Sequence, residues 1–140
     1  MNAPDAIAQV DAIVARAREA QKTYEANGSQ ARYDRAAQAA AWAIMEPARN
    51  RQLAELSVET TGLGNVADKI IKNHRKTLGL MRDIATARTY GVISEDDETG
   101  ITRIARPMGV IGAVVPSTNP AATPANNIIN ALKCGNAIVL

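Results

Sequence analysis

The chain has 140 residues, of which 46% are hydrophobic and 21% are charged, proportions typical of a protein that folds around an apolar core. Sixteen basic residues against fourteen acidic ones leave a formal charge of +2, too small to make nucleic acid an expected partner. One cysteine and one histidine exclude an internal disulfide and a zinc site built from those residue types, so we expect no metal site.

The N-terminal stretch carries Asp5 and Asp11 where a signal peptide would have basic residues followed by an uninterrupted apolar run. No run of apolar residues approaches about 18, the length that a membrane-spanning helix needs. We therefore expect a cytoplasmic protein that does not associate with membranes.

Four helices are predicted in the first hundred residues. Apolar residues at steps of three and four predict the first helix over about residues 5–25. Ser29 is placed to cap the second helix, Pro47 fits the first turn of the third, Gly62 ends it, and the fourth begins near Asn65. The apolar side is expected to be formed by Leu53, Leu56 and Val58 in the third helix and by Val66, Ile70, Ile71, Leu78, Met81 and Ile84 in the fourth.

After these helices the pattern changes to strands. Residues 90–94 and 101–104 flank a polar turn and predict a β-hairpin. Residues 110–115 are a short apolar run, typical of a strand buried on both faces. A helix over about residues 120–133 and a second strand from residue 137 complete a βαβ unit, whose strands should be parallel with a right-handed crossover.

These elements predict an α/β protein: N-terminal helices, a β-hairpin, and then the first βαβ unit of an incomplete Rossmann-like parallel sheet. Two parallel strands cannot cover themselves, and parallel sheets are normally covered by helices on both faces. The sequence therefore predicts the N-terminal fragment of a larger α/β protein.

Several features that could carry chemistry are better explained by structure. Cys134 ends the predicted crossover helix, where a small thiol packs against the sheet and no base is placed beside it. His74 belongs to the basic stretch 69–76, which is typical of a solvated helix face. The acidic run 95–98 lacks the spaced ligands of a calcium loop and is interpreted as an exposed hairpin tip. The glycines of the segment 109–112 precede and enter a strand, so the phosphate-binding GxGxxG fingerprint is absent.

The most informative segment is the turn at residues 116–120, which contains Asn119. It follows the first buried strand and precedes a helix, the place where open α/β sheets bind ligands. Because Pro120 biases the preceding residue to an extended backbone, the amide of Asn119 can point into the crevice and donate to a developing oxyanion. Asn, Ser and Pro are equally typical of a plain turn, so the residues alone leave both interpretations open.

Four segments resemble the CoA-acylating branch of the aldehyde dehydrogenase superfamily: residues 106–120, 131–139, 59–64 and 68–73. The resemblance extends over nearly the whole chain. Ordinary aldehyde dehydrogenases usually carry a tryptophan before the asparagine, where this chain has Thr118.

The resemblance implies an enzyme that oxidises a short aldehyde with NAD or NADP and passes the acyl group to coenzyme A as co-substrate. It places Asn119 in the oxyanion hole and the nucleophilic cysteine beyond Leu140, so this chain alone should be inactive. The residues that it places on the nicotinamide side are Val115, Pro116, Ser117 and Thr118.

The resemblance also implies how the chain is divided. Residues 1–88 would be the helical portion of the cofactor domain, residues 89–106 the hairpin of the oligomerisation element, and residues 107–140 the truncated first βαβ unit of the dinucleotide-binding domain. A homo-oligomer is expected for the full-length protein.

In the turn at residues 123–126 and the opening of the chain, the resemblance is greatest to members of this branch that act on sulfoacetaldehyde, which it therefore implies as the substrate. Acetaldehyde, propanal and succinate semialdehyde stay open. A non-catalytic helical interaction module is the alternative of a different class.

Overall fold

The computed structural model describes residues 3–140; residues 1 and 2, at the start of the predicted helical region, lie outside it. The elements within this range are α1 (Ala3–Ala26), α2 (Gln30–Met45), α3 (Pro47–Thr61), α4 (Val66–Ile84), β1 (Gly91–Asp96), β2 (Ile101–Ala105), β3 (Val110–Gly112), α5 (Ala122–Lys133) and β4 (Ala137–Val139). The predicted α/β class and order of elements are confirmed. In the described range, no helix has both the length and the apolar character to cross a membrane.

The helix ends lie where the capping residues predict them. Ser29 Oγ accepts a hydrogen bond from the backbone N–H of Arg32, 3.2 Å away, at the start of α2. Asn65 Oδ1 accepts one from the N–H of Asp68, 2.9 Å away, at the start of α4. Gly62 ends α3 with a left-handed backbone at φ +67°, a conformation that glycine adopts at little cost. Short polar side chains and one glycine thus fix these helix boundaries locally.

The core lies where α2 packs on α5. Ala37, Ala41 and Ile129 form its fully buried centre. The small side chains of these alanines allow the two helices to approach closely. At one end of this contact the ring of Tyr33 is fully buried, and a Cβ added to Gly135 would lie only 2.5 Å from it. Glycine at position 135 is therefore required both by this close approach and by its φ of +73°.

Each of the two small sheets has two strands in the described chain. Strands β1 and β2 form the predicted antiparallel hairpin, with Val92 opposite Ile104 and an irregular register after Val92. Strands β3 and β4 pair in parallel, with Val110 opposite Ala137, which confirms the predicted βαβ arrangement. Helix α1 contacts both β3 and β4.

The prediction that residues 110–115 form a strand buried on both faces is wrong. Strand β3 ends at Gly112, and the side chain of Val114 is 94% exposed. In the described chain β3 pairs only with β4, whose last paired residue is Val139. After Gly112 the backbone N–H of Ala113 still donates to the carbonyl of Val139 over 2.9 Å, and within the described chain residues 114 and 115 have no strand partner.

The apolar sides predicted for the third and fourth helices are also wrong in several positions. Leu56, Ile71 and Leu78 are each more than half exposed. The buried residues are Asn50, Ala54 and Ser57 in α3 and Lys69, Asn73 and Thr77 in α4. The most buried positions of the two helices are therefore small or polar, while Leu80, Met81 and Ile84 of α4 are partly buried against the core.

A pair of amides explains how these polar faces are tolerated. Asn73 Nδ2 donates to Asn50 Oδ1 over 2.9 Å, and Asn50 Nδ2 donates to the backbone carbonyl of Ile70 over 3.0 Å. A buried polar group that is hydrogen-bonded avoids most of its desolvation penalty. Helices α3 and α4 are thus joined at a defined register.

Candidate functional site

The loop between β3 and α5 carries the predicted site residue Asn119. The backbone N–H of Asn119 donates to the carbonyl of Pro116 over 3.2 Å, which closes a turn. Its own carbonyl accepts from the N–H of Thr123 over 3.3 Å, at the start of α5. Asn119 is therefore held between the carboxyl end of β3 and the N-terminal turn of α5, as the sequence predicts.

Two lysines of α4 hold this loop from the other side. Lys72 Nζ donates to Asn119 Oδ1 over 2.5 Å, and Lys69 Nζ donates to the backbone carbonyl of Thr118 over 3.3 Å. Lys69 is only 6% exposed. The interpretation of residues 69–76 as a solvated face is therefore wrong for these two residues, although His74 is exposed as expected. The sequence carried no signal for these contacts, because they span 47 and 49 residues.

The contact with Lys72 determines which way the amide of Asn119 points. An ammonium group can only donate hydrogen bonds, so the atom that faces Lys72 must be the amide oxygen. The amide NH₂ then faces away from Lys72, and it has no hydrogen-bond acceptor among the described residues. A half-buried side chain with its oxygen fixed and its NH₂ free can stabilise a negatively charged oxygen.

A cavity of about 220 Å³ lies at this side chain. It is lined by Lys76, Asn119, Ala122, Thr123 and Asn126. The buried Oδ1 of Asn126 has no partner among the described residues. The cavity therefore offers side-chain amides and one cation to a small polar molecule.

The segment predicted to line a nicotinamide is accessible. Val115 is half-buried, and Pro116, Ser117 and Thr118 are exposed. The side-chain hydroxyls of Ser117 and Thr118 form no hydrogen bonds within the described residues. An apolar residue beside free hydroxyls at the carboxyl end of a parallel strand is chemically suited to a planar ring with a polar substituent. The residues present thus fit a nicotinamide.

The single cysteine lies elsewhere. Cys134 is half-buried at the end of α5, in a cavity whose lining residues are all apolar, amide or glycine. Burial raises the pKa of its thiol, and the charge of Lys133 offsets this only partially. A thiol with a raised pKa and no neighbouring base is poorly suited to nucleophilic attack at neutral pH. Within the described chain, no group of three His, Cys, Asp or Glu residues is arranged to hold a metal ion.

The sequence of residues 3–140 matches the aldehyde dehydrogenase family. A sulfoacetaldehyde dehydrogenase (acylating) from Cupriavidus necator is 68% identical over 131 residues, which are 94% of this chain and 26% of that protein. The chain thus spans about a quarter of the length of this relative.

Solved structures show the same similarity. An acetylating aldehyde dehydrogenase from Geobacillus thermoglucosidasius superposes with a TM-score of 0.88 at 35% identity, over 96% of this chain and 29% of that one. A Rhodopseudomonas palustris propionaldehyde dehydrogenase with bound CoA and an acylated cysteine has a TM-score of 0.72 at 31% identity, over 91% of this chain and 28% of that one. An engineered glycolyl-CoA reductase with bound NADP+ has the same TM-score, identity and coverage of both chains.

The raised pKa of Cys134 predicts a thiol that reacts slowly with alkylating reagents at neutral pH and becomes reactive only at alkaline pH. The rate of alkylation by iodoacetamide, followed by peptide mapping, should rise about tenfold per pH unit and level off only above the range of an ordinary thiol. The control is an unstructured peptide of residues 131–137, which has the same chain neighbours without the burial. A plateau for the folded protein at a lower pH than for the peptide would show an activated thiol instead.

Proposed function

The chain belongs to the aldehyde dehydrogenase family, and from this we propose that it is a portion of an enzyme that oxidises a short aldehyde and transfers the acyl group to coenzyme A. The observation that carries the proposal is the free NH₂ group of Asn119 at the carboxyl end of β3. The names of the similar proteins support the acyl transfer, because they include acylating and acetylating enzymes and a CoA complex. This chain by itself would be inactive, since it supplies only some of the site.

Asn119 is proposed as the oxyanion donor. When a nucleophile attacks an aldehyde, the carbonyl oxygen gains negative charge, and a fixed N–H group nearby stabilises that charge more in the transition state than in the ground state. The nucleophile is proposed to lie beyond Leu140, because the half-buried thiol of Cys134 has a raised pKa and no base beside it. Asn119 sits between a strand and a helix, which keeps the donor in place.

The accessible segment after β3 is proposed to hold the nicotinamide of NAD or NADP, which accepts the hydride. Val115 and Pro116 would contact the ring, while the hydroxyls of Ser117 and Thr118 are free to bond polar groups. Residues 1–88 and 107–140 would then belong to the cofactor domain. A relative of known structure that binds NADP+ supports this assignment.

Sulfoacetaldehyde is the proposed aldehyde. This assignment rests on the high identity to the Cupriavidus necator protein, which extends over nearly all of this chain.

Residues 89–106 are proposed to form part of an interface with a second copy of the protein. The reason is that the hairpin strands β1 and β2 expose the apolar side chains of Val92, Ile93, Ile101 and Ile104.

The substrate proposal predicts a clear order of aldehydes. In the complete enzyme that carries this chain, kcat/KM for sulfoacetaldehyde should exceed that for acetaldehyde, propanal and succinate semialdehyde by at least about tenfold, as expected of a site that binds a polar substituent. The measurement is steady-state kinetics with CoA, and mass spectrometry of the acyl-CoA product. Equal or better use of any of the other three aldehydes would reject sulfoacetaldehyde while leaving the acylating reaction intact.

Removal of the Asn119 amide should slow the chemical step. We expect Asn119→Ala to lower kcat by about 10²- to 10³-fold, the usual cost of losing one oxyanion donor. The dissociation constant of the nicotinamide cofactor should change by less than about fivefold, because the loss concerns charge that develops during reaction.

The matched control is Cys134→Ala, which should keep most of the turnover. Turnover of Asn119→Ala close to that of the wild type would make Asn119 a plain turn residue. A large loss of cofactor affinity would make it a binding residue instead.

The hairpin proposal predicts a change of assembly. Val92→Asp with Ile104→Asp places two carboxylates on one face of β1 and β2, and burying unpaired charge is costly. Light scattering should show smaller particles with an unchanged circular-dichroism spectrum. Val92→Thr with Ile104→Thr, which keeps the β-branched shape without charge, should assemble like the wild type. An intact oligomer in the Asp variant would exclude this hairpin from the interface.

A further inference from the structure

Lys72 is the residue that fixes the free amide of Asn119. We propose that Lys72 is a positioning residue for the reaction: it holds the oxygen of the Asn119 amide so that the NH₂ group faces the reacting oxygen. This inference rests on the proposed role of Asn119 as oxyanion donor. Lys72 itself would touch neither the aldehyde nor the cofactor.

The geometry supports this role because the two possible orientations of the amide are unequal here. With the oxygen toward Lys72, Nζ donates to Oδ1 over 2.5 Å. With the amide turned over, its NH₂ group would face the ammonium group, and both would be donors. A charge-assisted hydrogen bond is about twice as strong as a neutral one, so the first orientation is strongly favoured.

The ammonium group is itself carried by a well-held helix. Asn73, next to Lys72 in α4, is buried against Asn50 of α3, and Lys69, one turn earlier, reaches the carbonyl of Thr118. Asn73 thus ties α4 to α3, and Lys69 ties it to the loop before α5. Lys72 is therefore placed by a rigid element rather than by a flexible surface chain, as a supporting residue of a precise site must be.

The same contact also changes the electronic character of the amide. A hydrogen bond accepted from a cation polarises the amide and makes its N–H groups better donors, because linked hydrogen bonds strengthen one another. The effect of Lys72 on the reaction would thus pass through Asn119. A lysine that acted directly on the developing oxyanion would keep its effect when the amide is removed.

The test is a double-mutant cycle in the complete enzyme with the best of the four aldehydes, CoA and the cofactor. Lys72→Met should lower kcat by about 10- to 100-fold, the usual cost of misplacing a catalytic group by about an ångström. KM for the cofactor should stay near the wild-type value. In the Asn119→Ala background the same substitution should change kcat by less than about twofold, because non-additivity marks residues that act as a unit.

Two further variants separate positioning from charge and from folding. Lys72→Arg keeps a cationic donor and should recover most of the turnover lost in Lys72→Met. Arg75→Met removes an exposed charge one turn further along the same helix and should keep wild-type turnover, since Arg75 makes no hydrogen bond to Asn119. Tm measurements on all variants identify any loss of turnover that comes from unfolding of α4. If Lys72→Met is unfolded, the turnover of Lys72→Arg is compared with that of the wild type instead.

The outcomes separate this inference from the function on which it rests. Two results would overturn the positioning role while leaving Asn119 as the donor. One is near-wild-type turnover of Lys72→Met, and the other is an equal loss of kcat from Lys72→Met in the wild-type and Asn119→Ala backgrounds. Near-wild-type turnover of Asn119→Ala would overturn the donor itself, and the inference with it.

Discussion

The polar inward side of α4 is the constraint on which the site depends. Lys69, Asn73 and Thr77 are almost fully buried, whereas Ile71 and Leu78 are more than half exposed. Burying polar groups is unfavourable unless they are bonded, and Asn73 and Lys69 meet this requirement by donating to Asn50 and to the carbonyl of Thr118. The hydroxyl of Thr77 has no partner among the described residues. Directional bonds, together with the packing of Leu80, Met81 and Ile84 against the core, thus set the position of α4, and with it the position of the Lys72 ammonium group.

A second polar contact fixes the other end of the βαβ unit. Lys133, at the end of α5, is 4% exposed and donates to Asp34 Oδ1 of α2 over 2.5 Å, while its backbone carbonyl accepts from Thr89 just before the hairpin. Burial by itself would raise the pKa of Asp34, but the hydrogen bonds from Lys133 and Gln30 outweigh it and hold this pKa below its ordinary value. A carboxyl whose pKa is lowered by folding stabilises the protein above its unfolded pKa, and this contribution is lost as pH falls through the folded pKa. The contact therefore ties α2, α5 and the start of the hairpin together at neutral pH.

Features encoded by neighbours in the chain could be predicted from the sequence, and those that depend on distant contacts could not. Ser29, Gly62 and Asn65 mark helix ends because a cap acts within a few residues. The place of Asn119 followed from the strand before it. The sides that α3 and α4 bury could not be derived, because apolar periodicity ignores the amide pair of Asn50 and Asn73. Lys72 was missed for the same reason, since a lysine in a basic stretch gives no sign of a partner 47 residues away.

The central claim is that Asn119 presents its NH₂ group to the reacting oxygen while Lys72 holds its carbonyl oxygen. The most direct measurement is a crystal structure of the complete enzyme with the aldehyde bound covalently to its nucleophile. We expect Asn119 Nδ2 at about 2.7–3.1 Å from the former carbonyl oxygen, with Lys72 Nζ still bonded to Oδ1. An adduct oxygen bonded to Lys72 itself, or an Asn119 side chain turned away from the adduct, would contradict the account.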